Sequence, residues 1–199
     1  MLFRSVLDTH GGNNSGDFLR LLGNGKEFGL QHLNYTYQEG EGGIAAALSL
    51  AEYFADNGPV CVMLGDNIIE KNIIAAARDY EKQGVGGKIL LKEVKDPQRF
   101  GVPVLERDRI LRVEEKPQEP KSPFAVTGIY FYDRQVFDII RTLKPSGRGE
   151  LEITDVNNAY FAQGRMTWSI LDGWWTDAGT FESLMNAANL VTQTGANKL

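Results

Sequence analysis

Cysteine is almost absent from this sequence, with Cys61 the single example in 199 residues. No disulfide framework within the chain is possible, which suits a reducing compartment and sets the expectation of a cytoplasmic protein. Histidine is nearly as scarce, His10 and His32 being the two present. With no second cysteine to join them, a Cys/His zinc site is disfavoured. No apolar run approaches the ~20 residues of a membrane span, and no basic-then-apolar leader opens the chain. Positive charge is in deficit, 21 Lys and Arg against 26 Asp and Glu, for a net charge of −5. That balance argues against non-specific binding to nucleic acid or to an anionic membrane, so a bound phosphate would need local cations and backbone N–H groups. Repeats, low-complexity tracts and obvious linkers are also missing. What is present is ordinary for a globular chain, 42% hydrophobic and 24% charged, and long enough for one α/β domain with its own core.

The most informative stretch is Pro59-Val60-Cys61-Val62-Met63-Leu64-Gly65-Asp66-Asn67. Its apolar run with two β-branched residues predicts a strand buried on both faces in the middle of a parallel sheet, with Cys61 a small core residue. Gly65 ends the strand, and an acid follows it. In open α/β sheets ligands bind outside the carboxyl ends of the strands, where Asp66 could hold a cation or a ligand hydroxyl. The alternative is that Asp66 caps a helix over residues 68–83. Further on, Trp174-Trp175-Thr176-Asp177-Ala178-Gly179-Thr180 offers a second acid ahead of a helix. Asp66 and Asp177 could bracket one cation with oxygen ligands, as Mg²⁺ prefers; spacing alone does not bring them together.

Between these two acids the pattern alternates. Strands are predicted over 34–38, 88–94, 124–132 and 166–171, and a hairpin over 102–106 and 110–115. Helices are predicted over 18–22, 44–51 and 135–143, the last with Val136, Ile139, Ile140 and Leu143 on one face. Thr180 should cap a closing helix whose apolar face is Phe181, Leu184, Met185, Ala188 and Val191. Residues 1–10 are mixed and predict nothing. Gly128, inside an apolar strand, marks a bulge or a close approach. The Glu39–Gly43 loop between strand and helix lacks phosphate-loop spacing and carries two glutamates, so it reads as contacting a base or sugar, or as a plain turn. Glu114-Glu115-Lys116-Pro117 is a ligand-facing or simply solvated strand end, with at most one glutamate on a given face. Arg148, flanked by glycines, can turn its guanidinium to a phosphate or pair with Glu150 or Glu152.

Taken in order, Gln38 with Gly43, Leu64-Gly65-Asp66-Asn67, Phe100-Gly101-Val102, Glu114-Glu115-Lys116-Pro117, the 126–132 strand, Arg148-Gly149-Glu150-Leu151-Glu152-Ile153-Thr154-Asp155 and Trp175-Thr176-Asp177-Ala178-Gly179-Thr180 form a specific set. The set resembles the sugar nucleotidyltransferase family, and within it the glucose-1-phosphate thymidylyltransferase branch. The resemblance runs from about the Gly11-Gly12 turn to the closing helix. It implies a three-layer Rossmann-like α/β sheet, mostly parallel, with an inserted β-hairpin. It also implies Mg²⁺-dependent transfer of a nucleotidyl group from dTTP to glucose 1-phosphate, giving dTDP-glucose and pyrophosphate. Gln38 and Gly43 would read the base, and Asp66 and Asp177 would hold the Mg²⁺. Gly101, Glu115 and the Val126 main chain would bind sugar hydroxyls, Lys116 and Arg148 the sugar phosphate, and Trp175 would wall the pocket. Glu115 is preferred to Glu114 because the family's acid directly precedes the Lys-Pro pair. The family commonly forms symmetric homo-oligomers, which is implied for a full-length parent.

One departure is large. The family opens with a strand and a G-G-x-G-T-R-L loop that wraps the triphosphate, and residues 1–10 match neither. The resemblance is therefore to one nucleotidyltransferase domain over residues 1–199 that lacks its N-terminal segment, residues 1–10 being an unmatched leader. Weak or absent catalysis is the expectation, with unpaired edges and apolar faces beside the missing central strand. Two alternatives are a non-catalytic nucleotide-sugar-binding module and a uridylyltransferase using UTP. A metal-dependent glycosyltransferase would need an acid-x-acid motif, and Asp66-Asn67-Ile68 lacks one.

Overall fold

The computed structural model describes residues 4–10, 15–107 and 109–198. They fall into two compact units, Met1–Gly58 with Val136–Val156, and Pro59–Gln135 with Asn157–Leu199. In the first, strand β1 (Arg4–His10) lies parallel to β2 (His32–Gln38), in register from Arg4 opposite His32 to His10 opposite Gln38. The β1 strand falls where the sequence predicted nothing. Its ladder is formed with residues far along the chain, which no local pattern reports. Helix α1 (Ser15–Leu22) lies between the two strands, and α2 (Ile44–Ser49) and α3 (Glu52–Ala55) follow them. The predicted 44–51 helix is thus shorter, burying Ala45 and Leu48 and exposing Leu50.

The second unit opens with β3 (Val60–Met63), β4 (Asn67–Ile69), α4 (Ile74–Gln83) and β5 (Gly87–Glu93). The hairpin β6 (Gly101–Glu106) and β7 (Arg109–Glu115) is followed by β8 (Phe124–Tyr132). Helices α5 (Gln135–Thr142) and α6 (Ile153–Ala162) cross the boundaries between units, and β9 (Met166–Ile170), β10 (Trp175–Asp177) and α7 (Phe181–Thr194) complete the chain. The main sheet has the order β3-β8-β5-β9. β5 is parallel to β9, while β8 runs against both β3 and β5, so three of the four strands share one direction. The architecture is a Rossmann-like α/β sheet with an inserted hairpin. Among the described residues no helix is long and apolar enough to cross a membrane.

β8 is buried from Ala125 to Tyr132 and is hydrogen-bonded on both edges. Its Ile129 and Phe131 join Leu90, Ile69 and Trp175 in the core, and the Phe131 ring meets Tyr80 of α4 at 5.4 Å. Burying each such side chain fully is worth roughly 1.5–3 kcal/mol. β3, predicted to be central and buried on both faces, pairs with β8 alone among the described residues. Its burial alternates, with Met63 45% exposed and Cys61 exposed rather than in the core. An end strand needs only one covered face, so its apolar composition overstated its depth.

Two further predictions are corrected. The 68–83 helix splits, because residues 67–69 pair with β10 in an antiparallel ladder that places Ile69 opposite Trp175. The helix proper begins at Ile74, whose N–H donates to the Asn72 side chain at 2.9 Å. Asp66 therefore caps no helix. Thr180 caps α7 as predicted, and the structure adds Ser183, whose side chain completes a capping box with it. The side α7 buries, however, is Ser183 and Ala187, leaving Phe181 91% and Met185 62% exposed.

Candidate active site

The corner between β4 and β10 is built by backbone first. Leu64 N–H donates to the Gly128 carbonyl at 2.9 Å, and Asn67 N–H donates back to Leu64 at 3.1 Å, forming the turn that presents Asp66. Ala178 N–H then donates to the Asp66 carbonyl at 2.9 Å, and the ladder sets Asp177 opposite Asn67. The two acids that sequence spacing could not bring together are thus neighbours. A Cβ placed on Gly179 would lie 3.1 Å from Asp177 Oδ2 and 3.5 Å from Asp66 Oδ2, so both carboxylates face one small volume that glycine leaves open. Hard oxygen donors facing a shared gap have the chemistry that Mg²⁺ prefers. Among the described residues no third Asp, Glu, His or Cys joins them.

Asn67 holds this corner, and it was missing from the predicted site. Alternation along β4 puts it on the inward face with Ile69, where it is buried. Its Oδ1 accepts from Gly128 N–H at 3.0 Å and from the Trp175 indole at 2.6 Å. Both partners can only donate, so the amide oxygen must face them and the amide nitrogen must face away. That nitrogen donates to Asp66 Oδ1 at 2.8 Å, leaving Oδ2 for the shared volume. Gly128 permits the approach, since a Cβ there would stand 2.6 Å from Asn67 Nδ2. Trp175 accordingly acts as a buried donor to Asn67.

The hairpin brings the next group together. Gly101 pairs with Glu115 across β6 and β7, and Lys116 N–H donates to the Phe100 carbonyl at 3.0 Å. Lys116 is held at φ 42°, a left-handed conformation that is disfavoured for a lysine ahead of a proline and is maintained here by the surrounding turn. Glu114 is engaged by Arg112 at 2.5 Å, which separates it from Glu115. The Tyr130 phenol is pushed up by burial first and then by the charges of Glu115 and Asp66, so both carboxylates act on one buried ring. Val126 has its side chain buried in β8 and offers its main chain alone. Arg99, also missed, donates to Asp177 Oδ2 at 3.1 Å and to Asp96 at 2.9 Å. Nothing in its local sequence points to Asp177.

The first unit carries Gln38, Gly43 and Arg148. Gln38 is buried, its Nε2 donates to the Gly43 carbonyl at 3.1 Å, and its Oε1 has no partner among the described residues. Gly43 has φ 86°, and a Cβ there would strike the Leu151 carbonyl at 2.7 Å. The Gln38 loop is thereby clamped to the 150–151 segment, with Leu151 N–H donating to Gly42 at 2.8 Å. Arg148 is bonded to Glu152 at 2.8 Å and lies 3.4 Å from Glu150, the carboxylate pairing that its spacing allowed.

Comparison with known proteins places these features in a family. The nucleotidyl transferase family model matches residues 11–194. A glucose-1-phosphate thymidylyltransferase of Neisseria meningitidis serogroup A is 41% identical over 192 residues, covering 94% of this chain and 66% of the relative. One from an Actinoplanes species is 41% identical over 177 residues, covering 87% of this chain and 58% of the relative. The chain thus spans about 58–66% of the length of these curated relatives. A crystal structure of a Bacillus anthracis protein assigned as a glucose-1-phosphate thymidylyltransferase, in complex with a sucrose, superposes with TM-score 0.87 at 48% identity, covering 93% of this chain and 74% of that one. UDP-glucose pyrophosphorylase complexed with UDP-glucose shares the fold, with TM-score 0.79 at 21% identity over 96% of this chain and 81% of that one. With a family match along almost its whole length and these relatives beside it, the chain belongs to the nucleotidyl transferase family.

Proposed function

We propose that these residues serve the Mg²⁺-dependent transfer of a thymidylyl group from dTTP to glucose 1-phosphate. An oxygen of the sugar phosphate attacks the α-phosphorus of dTTP in line, the bond to the β-phosphate breaks, and pyrophosphate leaves with its electron pair. The observation that carries this reading is the convergence of Asp66 and Asp177 on one volume beside Gly179. Relatives named glucose-1-phosphate thymidylyltransferase support it.

The roles follow from the chemistry of each group. Asp66 and Asp177 would hold the cation, which neutralises charge on the phosphates when bound. Asn67 fixes the Asp66 carboxylate with one oxygen free. Gly101, Glu115 and the Val126 main chain bind sugar hydroxyls, and Lys116 offers a point charge to the sugar phosphate. Arg148, bonded to Glu152, would bind a phosphate by exchanging that carboxylate for it. Gln38 Oε1, buried and unpartnered among the described residues, is an acceptor suited to the imide N–H of a pyrimidine. Thymine and uracil share that edge, so the methyl group decides between them by roughly 1–3 kcal/mol. No protein nucleophile is needed, and rate enhancement would come from positioning and charge neutralisation. A cytoplasmic location, in keeping with the lone Cys61, and assembly as a homo-oligomer are part of the reading.

The test is a thermal melt of the chain with Mg²⁺ and saturating dTDP-glucose, with UDP-glucose alongside. Ligand at 100 times its dissociation constant stabilises a fold by about 2.7 kcal/mol. A shift with dTDP-glucose that exceeds the shift with UDP-glucose supports the thymidylyl reading. Equal shifts favour a uridylyltransferase, and no shift with either overturns the assignment of the sugar and base residues.

A further inference from the structure

The Asp177 carboxylate already has a cation. Arg99 Nη2 lies 3.1 Å from its Oδ2 and 3.4 Å from its Oδ1. The same guanidinium is anchored at its other amino group by Asp96 at 2.9 Å and lies over the Phe100 ring at 5.1 Å. Asp96, Arg99 and Phe100 belong to the 3₁₀ turn Pro97–Arg99 and its flanks, closed by Arg99 N–H to Asp96 and Phe100 N–H to Pro97. Phe100 in turn packs edge-on against Trp175 at 5.1 Å. The arginine is therefore held in place by its own turn, and its contact with Asp177 is the part reached across the fold.

Asp66 and Asp177 point at one volume, and two carboxylates so placed repel each other unless a positive charge stands between or beside them. A guanidinium stays charged at any accessible pH, so only a better cation can replace it on Asp177.

We propose, on the reading that Asp66 and Asp177 hold a divalent cation, that Arg99 is the resident counter-charge of that pair. It occupies Asp177 when no metal is bound and yields the carboxylate when metal arrives, remaining attached through Asp96 and Phe100. Arg99 is a positioning residue in this scheme. It keeps Asp177 aimed at the shared volume and sets a threshold that the incoming cation must exceed.

The test is Mn²⁺ binding to the full chain, read from the electron paramagnetic resonance signal of free Mn²⁺. Arg99→Met should bind Mn²⁺ at least about fivefold more tightly than the parent, after allowing for solvent screening of a partly exposed charge. Arg99→Lys keeps a charge but loses the two-pronged geometry, and should fall between parent and Arg99→Met. Asp177→Asn should abolish binding in either background. Tighter binding is an outcome that a merely structural arginine would not produce. If Arg99→Met folds poorly, Arg99→Lys alone must still bind more tightly than the parent. Unchanged or weaker binding in both variants, with Asp177→Asn still abolishing it, overturns the inference and leaves the metal site standing. Binding that survives both Asp66→Asn and Asp177→Asn overturns the metal site, and the role of Arg99 with it.

Discussion

Two arginines in this molecule sit on carboxylates, and they arrive there by different routes. Arg148 reaches Glu152 four residues away, with contacts of 2.8, 3.0 and 3.2 Å. Arg99 reaches Asp177 across 78 residues at 3.1 Å. The side chains are about equally exposed, 44% and 40%, and so are their acids, 12% and 16%. The first pair is local to one loop, where Ser146 N–H donates to the Glu150 carbonyl at 2.8 Å and Gly149 N–H to the Ser146 carbonyl at 2.9 Å, folding the segment so that Arg148 meets Glu152. The second exists because β4 pairs with β10 and the turn before β6 is brought to the same corner. In both, a group suited to a phosphate or a metal is already neutralised by its counter-charge. On the proposed function, ligand entry there would be an exchange of partners rather than the capture of a free charge.

The corners also differ in how firmly they are set, and the largest predicted effect tests that difference. Asn67→Leu strips Gly128 N–H and the Trp175 indole of their common acceptor, both in buried surroundings. Each orphaned donor costs about 1–3 kcal/mol, so urea unfolding should show a loss of roughly 2–4 kcal/mol. Asn67→Asp keeps both acceptor bonds but sets a carboxylate oxygen where the amide donated to Asp66 Oδ1, so like-charge repulsion should cost stability there as well. An Asn67→Leu loss below about 1 kcal/mol would mean that the two donors do not hold the corner.

In the first unit the matching substitution is Gly43→Ala. Its left-handed φ of 86° and the Leu151 carbonyl 2.7 Å from the new Cβ should together cost about 1–3 kcal/mol. Because the Gly43 carbonyl orients Gln38, stabilisation by dTDP-glucose should vanish as well. A variant that melts lower yet keeps its ligand shift would separate the clamp from base recognition.

Glu152→Gln loosens the local pair. Affinity for glucose 1-phosphate, measured by calorimetry, should rise about twofold to fivefold, the range expected for an exposed ion pair. A fall would show that Glu152 aims Arg148 instead of competing for it.

The smallest effect comes from a pair that belongs to neither site. Lys88, buried in β5, bonds to Asp79 at 2.8 Å, and that hydrogen bond and charge hold the Asp79 carboxyl below its ordinary value. A lowered carboxylate contributes stability above its unfolded value, and loses it as pH falls through the folded one. Asp79→Asn should therefore lower the melting temperature slightly at neutral pH and flatten its decline below about pH 4. An unchanged acid limb would assign that decline to other carboxylates.

Much of this fold was legible because its signals are local. The β8 boundaries at residues 124 and 132, the β6–β7 hairpin, α5 with its buried Val136, Ile139 and Ile140, and the Thr180 cap each depend on neighbours within a few positions. The ordered motifs likewise identified the family and chose Asp66 and Asp177. The errors share one cause. β3 was read as central, residues 68–83 as one helix, and the outer side of α7 as its core side, because in each case the deciding contact is remote.

By itself, then, the sequence determined which residue types stand at each strand end, which segments turn, and which family the chain joins. Hydrophobic period and turn chemistry are local quantities, and a ladder partner is not. Tertiary structure alone decided that Asp66 and Asp177 face one volume, that Asn67 must turn its amide nitrogen toward Asp66, and that Arg99 holds Asp177. Each of these depends on β4 meeting β10, a pairing of residues 67–69 with 175–177. No spacing rule reaches across that distance, because the chain between is free to lead elsewhere until the core of Ile69, Ile129 and Trp175 closes.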